Sequence, residues 1–391
     1  MIADTLVPED LTDPELHATG DPHAIWRWMR EHAPVYHHRA TDLPAFWSLT
    51  RYTDIKAAYR DPATFSSARG VLLRPTRLGD DPGGNTTMAL TDPPRHKQLR
   101  GLMAGWFTER AVRGLEEQIR GAVELTITKA REQGEVDVVN DLVGRLSLYV
   151  IGRIMGVADE DLEDMFRWTN EAFRAGQPLA THHRVMQYFI AMMDQRIAEP
   201  TDDLVSALVN GTVDGDLLTE EEILLNCENM VGATENARLS MAVGIHAFMR
   251  HPQQWRLLRE HRELMPTAVE EVLRYASSAN HSMRYVTRDV EIRGRQVRAG
   301  DWVVLWVPSA NRDEECFVDG DRFDITRTPN RHLALGSGEH FCIGSVLARA
   351  ETRLLLGGLL DSVDRLEQTG PAVPSHSLAV SGPEHLPVRL V

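Results

Sequence analysis

The sequence predicts a mainly α protein with small β-sheets. Three observations carry that expectation: apolar residues recur at three-and-four spacing through most of the 391 residues, strand-like alternation occurs only in short pieces, and no Pro/Gly/Ser-rich linker marks a shift of composition. A single domain spanning 1–391 is therefore expected, although the length alone would allow more.

Helical periodicity covers residues 96–132, 139–156, 159–175, 181–198, 219–249 and 345–361, each run too long for a strand. Thr219 followed by Glu222 is a capping-box pattern, so the longest of these helices has a defined start. At 1.5 Å per residue it would run about 45 Å, enough to cross a domain. Its apolar stripe, through Ile223, Cys227, Met230, Met241, Ile245 and Phe248, is broken midway by "GATEN", which brings in Thr234, Glu235 and Asn236. Strand-like alternation appears at 36–50, at 289–307 and in the closing "HLPVRLV". Two loops, 67–94 and 370–385, are rich in Gly, Pro, Asp and Ser and longer than a connection needs, the usual mark of a functional segment. No internal repeat or low-complexity tract is present.

With 42% hydrophobic and 25% charged residues, the chain has the composition of a globular protein with ample core. Its 42 basic and 57 acidic side chains give a formal charge of −15, which repels nucleic acid and anionic membrane, so neither is expected as a partner. The opening "MIADTLVPEDLTDPELHATGDPH" is acidic and proline-broken, without the basic and apolar regions of a signal peptide. A cytoplasmic location with reduced thiols is the expectation.

Only three cysteines occur, and Cys227 and Cys316 stand at no metal-ligand spacing from Cys342. Cys342 therefore works alone, inside "RHLALGSGEHFCIG" at 331–344. That stretch resembles the haem-binding loop of the cytochrome P450 superfamily, roughly F-G-x-G-x-H-x-C-x-G. Gly336, Gly338, His340, Cys342 and Gly344 are in place, and Leu335 stands where the family usually has Phe. "EEVLR" supplies the family's E-x-x-R pair as Glu271 and Arg274, and "ANRDEECFVDGDRFDITR" resembles the meander before the haem loop, with Arg322 taken as the third member of a Glu/Arg/Arg cluster. "DPPRHKQLR", "PTDDLVSALV" and "RYVTRDVEIRGRQVRAG" are similar to bacterial members, so the likeness runs along nearly the whole chain in the family's order.

The resemblance implies the triangular cytochrome P450 fold and a haem-thiolate monooxygenase that uses dioxygen. It implies haem b, with Cys342 as axial iron ligand and His96, Arg100, Arg284 (opening a strand) and His340 where the family holds the two propionates, groups that need cations or donors if buried. The loop's residues suit that role: a shielded thiolate can ligate iron, Gly336, Gly338 and Gly344 permit positive φ and close approach, and the helix that follows would bring amides near the sulfur and lower its pKa. In the long helix, Glu235 occupies the family's acid position and Asn236 replaces its usual threonine; both are candidate catalytic residues. An amide cannot exchange protons as a hydroxyl does, and Thr234, two residues away, points to the other side of a regular helix unless a local bulge turns it.

A small-molecule substrate, free or tethered to a carrier protein, is expected between the loop 67–94, the segment near 170–183, Asn229–Ala233, "SSANHSM" at 277–283 and Leu378–Val380, with a role in bacterial secondary-metabolite biosynthesis. The chain shows no reductase signature, so ferredoxin and ferredoxin reductase are the implied electron donors, docking on a basic patch of Lys97, Arg110, Arg113, Arg349 and Arg353. Two alternatives share the haem: oxidative C–C, C–O or C–N coupling without oxygen insertion, and a non-catalytic haem protein that binds a ligand.

Overall fold

The computed structural model describes residues 8–173 and 182–391. Part of the 170–183 segment expected to frame a substrate, and the facing ends of the helices expected at 159–175 and 181–198, lie outside the described residues.

Helices dominate, as the periodicity predicts, but several break where local chemistry competes with the helix. The run expected at 96–132 is two helices, Arg95–Met103 and Glu109–Gln133, joined by a 3₁₀ turn. Thr108 makes the corner: its hydroxyl donates to the Gly105 carbonyl and accepts the Ala111 amide, capping the second helix. The run at 139–156 begins as a π-helical stretch, Val138–Gly144, before settling into Arg145–Met155. Leu162–Phe173, His183–Ala198 and Ser345–Ser362 lie where periodicity places them. The capping box at Thr219 and Glu222 forms in both directions, yet the helix it starts is interrupted: Glu220–Gly232 and Thr234–Arg250 meet at Ala233. The buried apolar faces of these helices form the largest hydrophobic cluster, from Leu99 to Leu390.

The sheets are small. In the largest, five strands stand in the order Val35–His38, Phe46–Leu49, Trp302–Trp306, His281–Val286, Phe65–Ser66, and only the second and third are parallel. Arg284 does not open its strand; it is the fourth residue of His281–Val286, opposite Val303. This sheet packs a second apolar cluster against Ile55, Tyr59 and Phe317.

Behind the sheet, the helix Met265–Ala276 carries Glu271 and Arg274, both with no solvent exposure. Their two nitrogen–oxygen contacts are 2.8 Å each, and Arg274 also donates to the carbonyls of Asn311 and Gly320. The third member of the cluster is Arg327, not Arg322: Arg327 Nε lies 3.2 Å from Glu271, while exposed Arg322 offers only its carbonyl, which accepts from Arg274 and Arg327. The meander bends at Arg322, after a turn at 318–321, so the Arg322 carbonyl accepts within the cluster while its side chain is exposed. Asp324 N–H and Asn330 Nδ2 complete the carboxylate's shell.

This geometry predicts that Arg327→Ala lowers stability by on the order of 3 kcal/mol, because it uncovers a buried carboxylate. Arg322→Ala should change it by no more than about 0.5 kcal/mol. Urea midpoints of the two variants decide the assignment, and the reverse ranking would overturn it.

Candidate functional site

The Cys342 loop is held by its own backbone: Cys342 N–H donates to Leu335 O at 2.9 Å and Phe341 N–H to Gly338 O at 3.0 Å. Gly336 and Gly338 sit at φ +71° and +73°, where a side chain would be strained, and a Cβ on Gly338 would meet the Tyr59 carbonyl carbon at 3.2 Å. Gly344 differs from expectation. Its φ is −79°, so it serves by proximity: its amide faces the cysteine sulfur, and a Cβ there would lie 3.9 Å from Sγ. Burial pushes the Cys342 thiol up, against the Gly344 amide and the Arg100 and Arg349 charges, so the sequence-based expectation of a lowered thiol pKa does not hold for the protein alone. Desolvation outweighs one helix terminus. Among the described residues no group of three His, Cys, Asp or Glu could hold a metal ion.

Above Cys342 lies a cavity of about 300 Å³. Its far wall is the interrupted helix, through Met230, Ala233, Thr234, Asn236 and Ala237; its side is Ser278, Ala279 and Ser282. Thr234 also lines this cavity; it follows the interruption at Ala233, and its hydroxyl donates to Val231 O at 2.6 Å. Glu235 is elsewhere. It lines a separate recess of about 480 Å³ on the other side of the helix, paired with Arg238 at 2.7 Å, and Arg238 also donates to Asn170. Asn236 and Glu235 are thus neighbours in sequence that open onto two different cavities.

At one edge of the Cys342 cavity basic side chains gather, with the charges of Asp92 and Glu339 near but not ion-paired to Arg284 or Arg100. Arg284, 5% exposed, donates to the Met283 carbonyl and lies over the Tyr59 ring, and no carboxylate pairs with it or with Arg100 among the described residues. His96, 1% exposed, has no hydrogen-bond partner at either ring nitrogen, and its ring centroid is 4.2 Å from that of His340, whose Nε2 also lacks one. Burial, then Arg284, His96 and Arg100, push His340 down to about 3. Burial and Arg100 likewise lower His96. Such a set is stable in a buried edge only when an anion completes it.

The family model for Cytochrome P450 matches residues 161–377. The chain belongs to the cytochrome P450 family. It is 32% identical to cytochrome P450 NovI of Streptomyces niveus over 390 residues, 97% of this chain and 96% of that protein. It is 36% identical to the cyclomarin C epoxidase CymV of Salinispora arenicola, over 93% of this chain and 95% of that one. Among solved structures, P450 OxyD, involved in the biosynthesis of vancomycin-type antibiotics, superposes with a TM-score of 0.92 at 32% identity, over 98% of this chain and 99% of that one. The protein is therefore a P450 monooxygenase with a haem-thiolate cofactor. The residues present fit that group: a half-buried cysteine faces a cavity, and His340, whose Nε2 has no partner, lines the same cavity. No helix among the described residues is long and apolar enough to cross a membrane.

One buried acid of this P450 escaped the sequence reading. Glu351, on the Ser345–Ser362 helix, lines the Cys342 cavity at 2% exposure and accepts from the Ser147 hydroxyl at 3.3 Å. The available signal was a carboxylate on the apolar face that carries Leu347, Leu354 and Leu355. Burial pushes Glu351 up to about 8, against the Ser147 hydrogen bond, so the folded state keeps a proton that the unfolded chain loses near its ordinary value of 4.5. The folded state binds more protons between those limits, so stability falls as pH rises through that window, at up to about 1.4 kcal/mol per pH unit. Glu351→Gln should remove this slope: urea midpoints at pH 5 and pH 8 should differ less in the variant than in the native protein. Equal slopes in the two would refute the assignment.

Proposed function

We propose that this P450 binds haem b through Cys342, His96, Arg100, Arg284 and His340, and oxidises a small organic substrate, by hydroxylation or a related oxidation, in bacterial secondary-metabolite biosynthesis. The observation that carries the cofactor reading is the set of unpaired groups beside Cys342: Arg284 and His340 line its cavity, His96 stacks on His340 with both ring nitrogens unused, neither Arg284 nor Arg100 has a carboxylate ion pair among the described residues, and two propionates would complete them. The relatives CymV and OxyD support the substrate class, since CymV is a cyclomarin C epoxidase and OxyD is involved in the biosynthesis of vancomycin-type antibiotics.

When bound, the haem supplies reductive activation of dioxygen and oxidation of an unreactive carbon. The chain supplies the surroundings. Met230, Ala233, Ala237 and Leu347 make an apolar wall that excludes water, and the Gly344 amide and the Arg100 and Arg349 charges favour the thiolate against its burial. Asn236 presents an amide to the cavity, and Ser278 donates to its main-chain carbonyl at 3.0 Å and lies 3.4 Å from its Oδ1. With Oδ1 turned to Ser278, Nδ2 is free to hold a water or a substrate hydroxyl by donation. Glu235, on the solvent side, supplies protons when Arg238 releases it, so the relay crosses the helix where it is interrupted.

Electrons would come from a ferredoxin, reduced by ferredoxin reductase, at the face nearest Cys342. Of the five cations expected there, Lys97, Arg349 and Arg353 pair with Glu339, Glu270 and Glu116. Exposed Arg110 and Arg113 have no ion pair among the described residues and carry the docking charge.

The cofactor reading is tested by the reduced carbonyl complex. Its Soret band should take the red-shifted position of a thiolate-bound haem, vanish from it in Cys342→Ser, and persist in Cys227→Ser and Cys316→Ser; an unaltered band in Cys342→Ser would end the assignment.

The relay is tested by product formed per electron consumed. Asn236→Ala should lower that ratio several-fold with substrate affinity unchanged, and Asn236→Thr should restore most of it. Full coupling in the alanine variant would remove Asn236 from the relay.

A further inference from the structure

The strand His281–Val286 does more than wall the cavity. Alternation along it sends Ser282 and Arg284 to the Cys342 cavity and His281 to the opposite face, where the imidazole is 2% exposed and packs 5.5 Å from the Trp306 ring. Both of its nitrogens are used there. The Leu73 amide donates to Nε2 at 2.8 Å, and Nδ1 lies 3.0 Å from the Leu378 carbonyl, which can only accept. One partner is a donor and the other an acceptor, so the tautomer is fixed with the proton on Nδ1.

The two partners come from the two long loops. Leu73 belongs to the segment 67–94, Leu378 to 370–385. Main-chain bonds run beside each contact: Met283 N–H to Val71 O at 2.7 Å, Asn280 N–H to Ala379 O at 2.9 Å and Ser381 N–H to Ser278 O at 2.8 Å. The far end of the first loop is fastened to the interrupted helix. Asn226 accepts the Met88 amide at 2.9 Å and donates to Thr86 O at 3.0 Å. That loop therefore spans from the strand to the cavity's far wall, and the second lies along the strand's leading residues. The His281 imidazole hydrogen-bonds both.

We propose that His281 is a positioning residue that sets the shape of the substrate cavity by clamping both loops to one strand, without itself facing the substrate. Burial keeps the ring neutral, pushing it down to about 4, so the clamp holds at neutral pH. The idea rests on the reading that the Cys342 cavity receives the substrate, and it makes His281 a determinant of which substrates fit.

Hydrogen exchange and a haem-binding probe separate the two levels. In His281→Phe, exchange at the Leu73 amide and in the segment around Leu378 should accelerate roughly tenfold, the worth of one lost hydrogen bond, while the ladder amides of Val303–Leu305 keep native rates. His281→Gln, whose amide offers one donor and one acceptor, should restore protection. Affinity for 4-phenylimidazole, read by the Soret shift, should fall several-fold in the Phe variant and recover in the Gln variant. Unchanged exchange at both loops would overturn the clamp, as would a uniform rise across the ladder without rescue by Gln. Altered exchange with unaltered phenylimidazole affinity would overturn the cavity-shaping role. A native protein with no Soret response would fail the haem reading while the exchange result still decides the clamp. If His281→Phe does not fold, the native protein suffices: the Leu73 amide must exchange at least tenfold more slowly than those of Leu72 and Arg74, for which the structure shows no hydrogen bond, and equal rates would refute the proposal.

Discussion

Glu271 and Arg274 are shut off from water, so each charge is tolerable only because the other is beside it. Around them the fold collects the carbonyls of Asn311, Gly320 and Arg322, the Asp324 amide, and the side chains of Arg327 and Asn330. This one cluster ties a helix to the irregular chain that leads into the Cys342 loop, where periodic backbone hydrogen bonds are few. Asn311 extends the tie: its side chain accepts the Leu333 amide at 2.7 Å, two residues before Leu335, whose carbonyl closes the cysteine loop. A buried ion pair contributes little net stability, but an unmatched half of it is costly, so the cluster acts by excluding other arrangements of the meander.

The same rule, applied to the other buried charges, separates structure from function. Glu271, Arg274 and Arg327 satisfy one another within the chain. His96, Arg100, Arg284 and His340 do not: they depress one another's proton affinity and leave ring nitrogens unpaired. On the reading proposed above, the anions of a bound haem would complete that edge.

The interruption at Ala233 has a comparable logic. A continuous helix would place Thr234 away from Asn236; next to the break, with the Thr234 hydroxyl on Val231 O, both line the cavity of Cys342, while Glu235 faces the outer recess.

Much was legible in the sequence because it depends on local pattern. Apolar spacing placed most of the helices, the capping box at Thr219 depends on residues three apart, and the glycine, histidine and cysteine spacing of 336–344 marked the loop. Other features needed the tertiary structure, because they arise between segments far apart in the chain. Arg327 rather than Arg322 meets Glu271 because of how the meander bends at Arg322. The Cys342 thiol is raised rather than lowered because the depth of its burial is set by packed neighbours, not by the adjacent helix end. Three of the five expected docking cations are paired because acids from other segments reach them. Periodicity and spacing thus determined which elements form and which residues are candidates for the chemistry; desolvation and long-range pairing, which exist only once distant segments pack, decided the partners each charge finds and the cavity each residue faces.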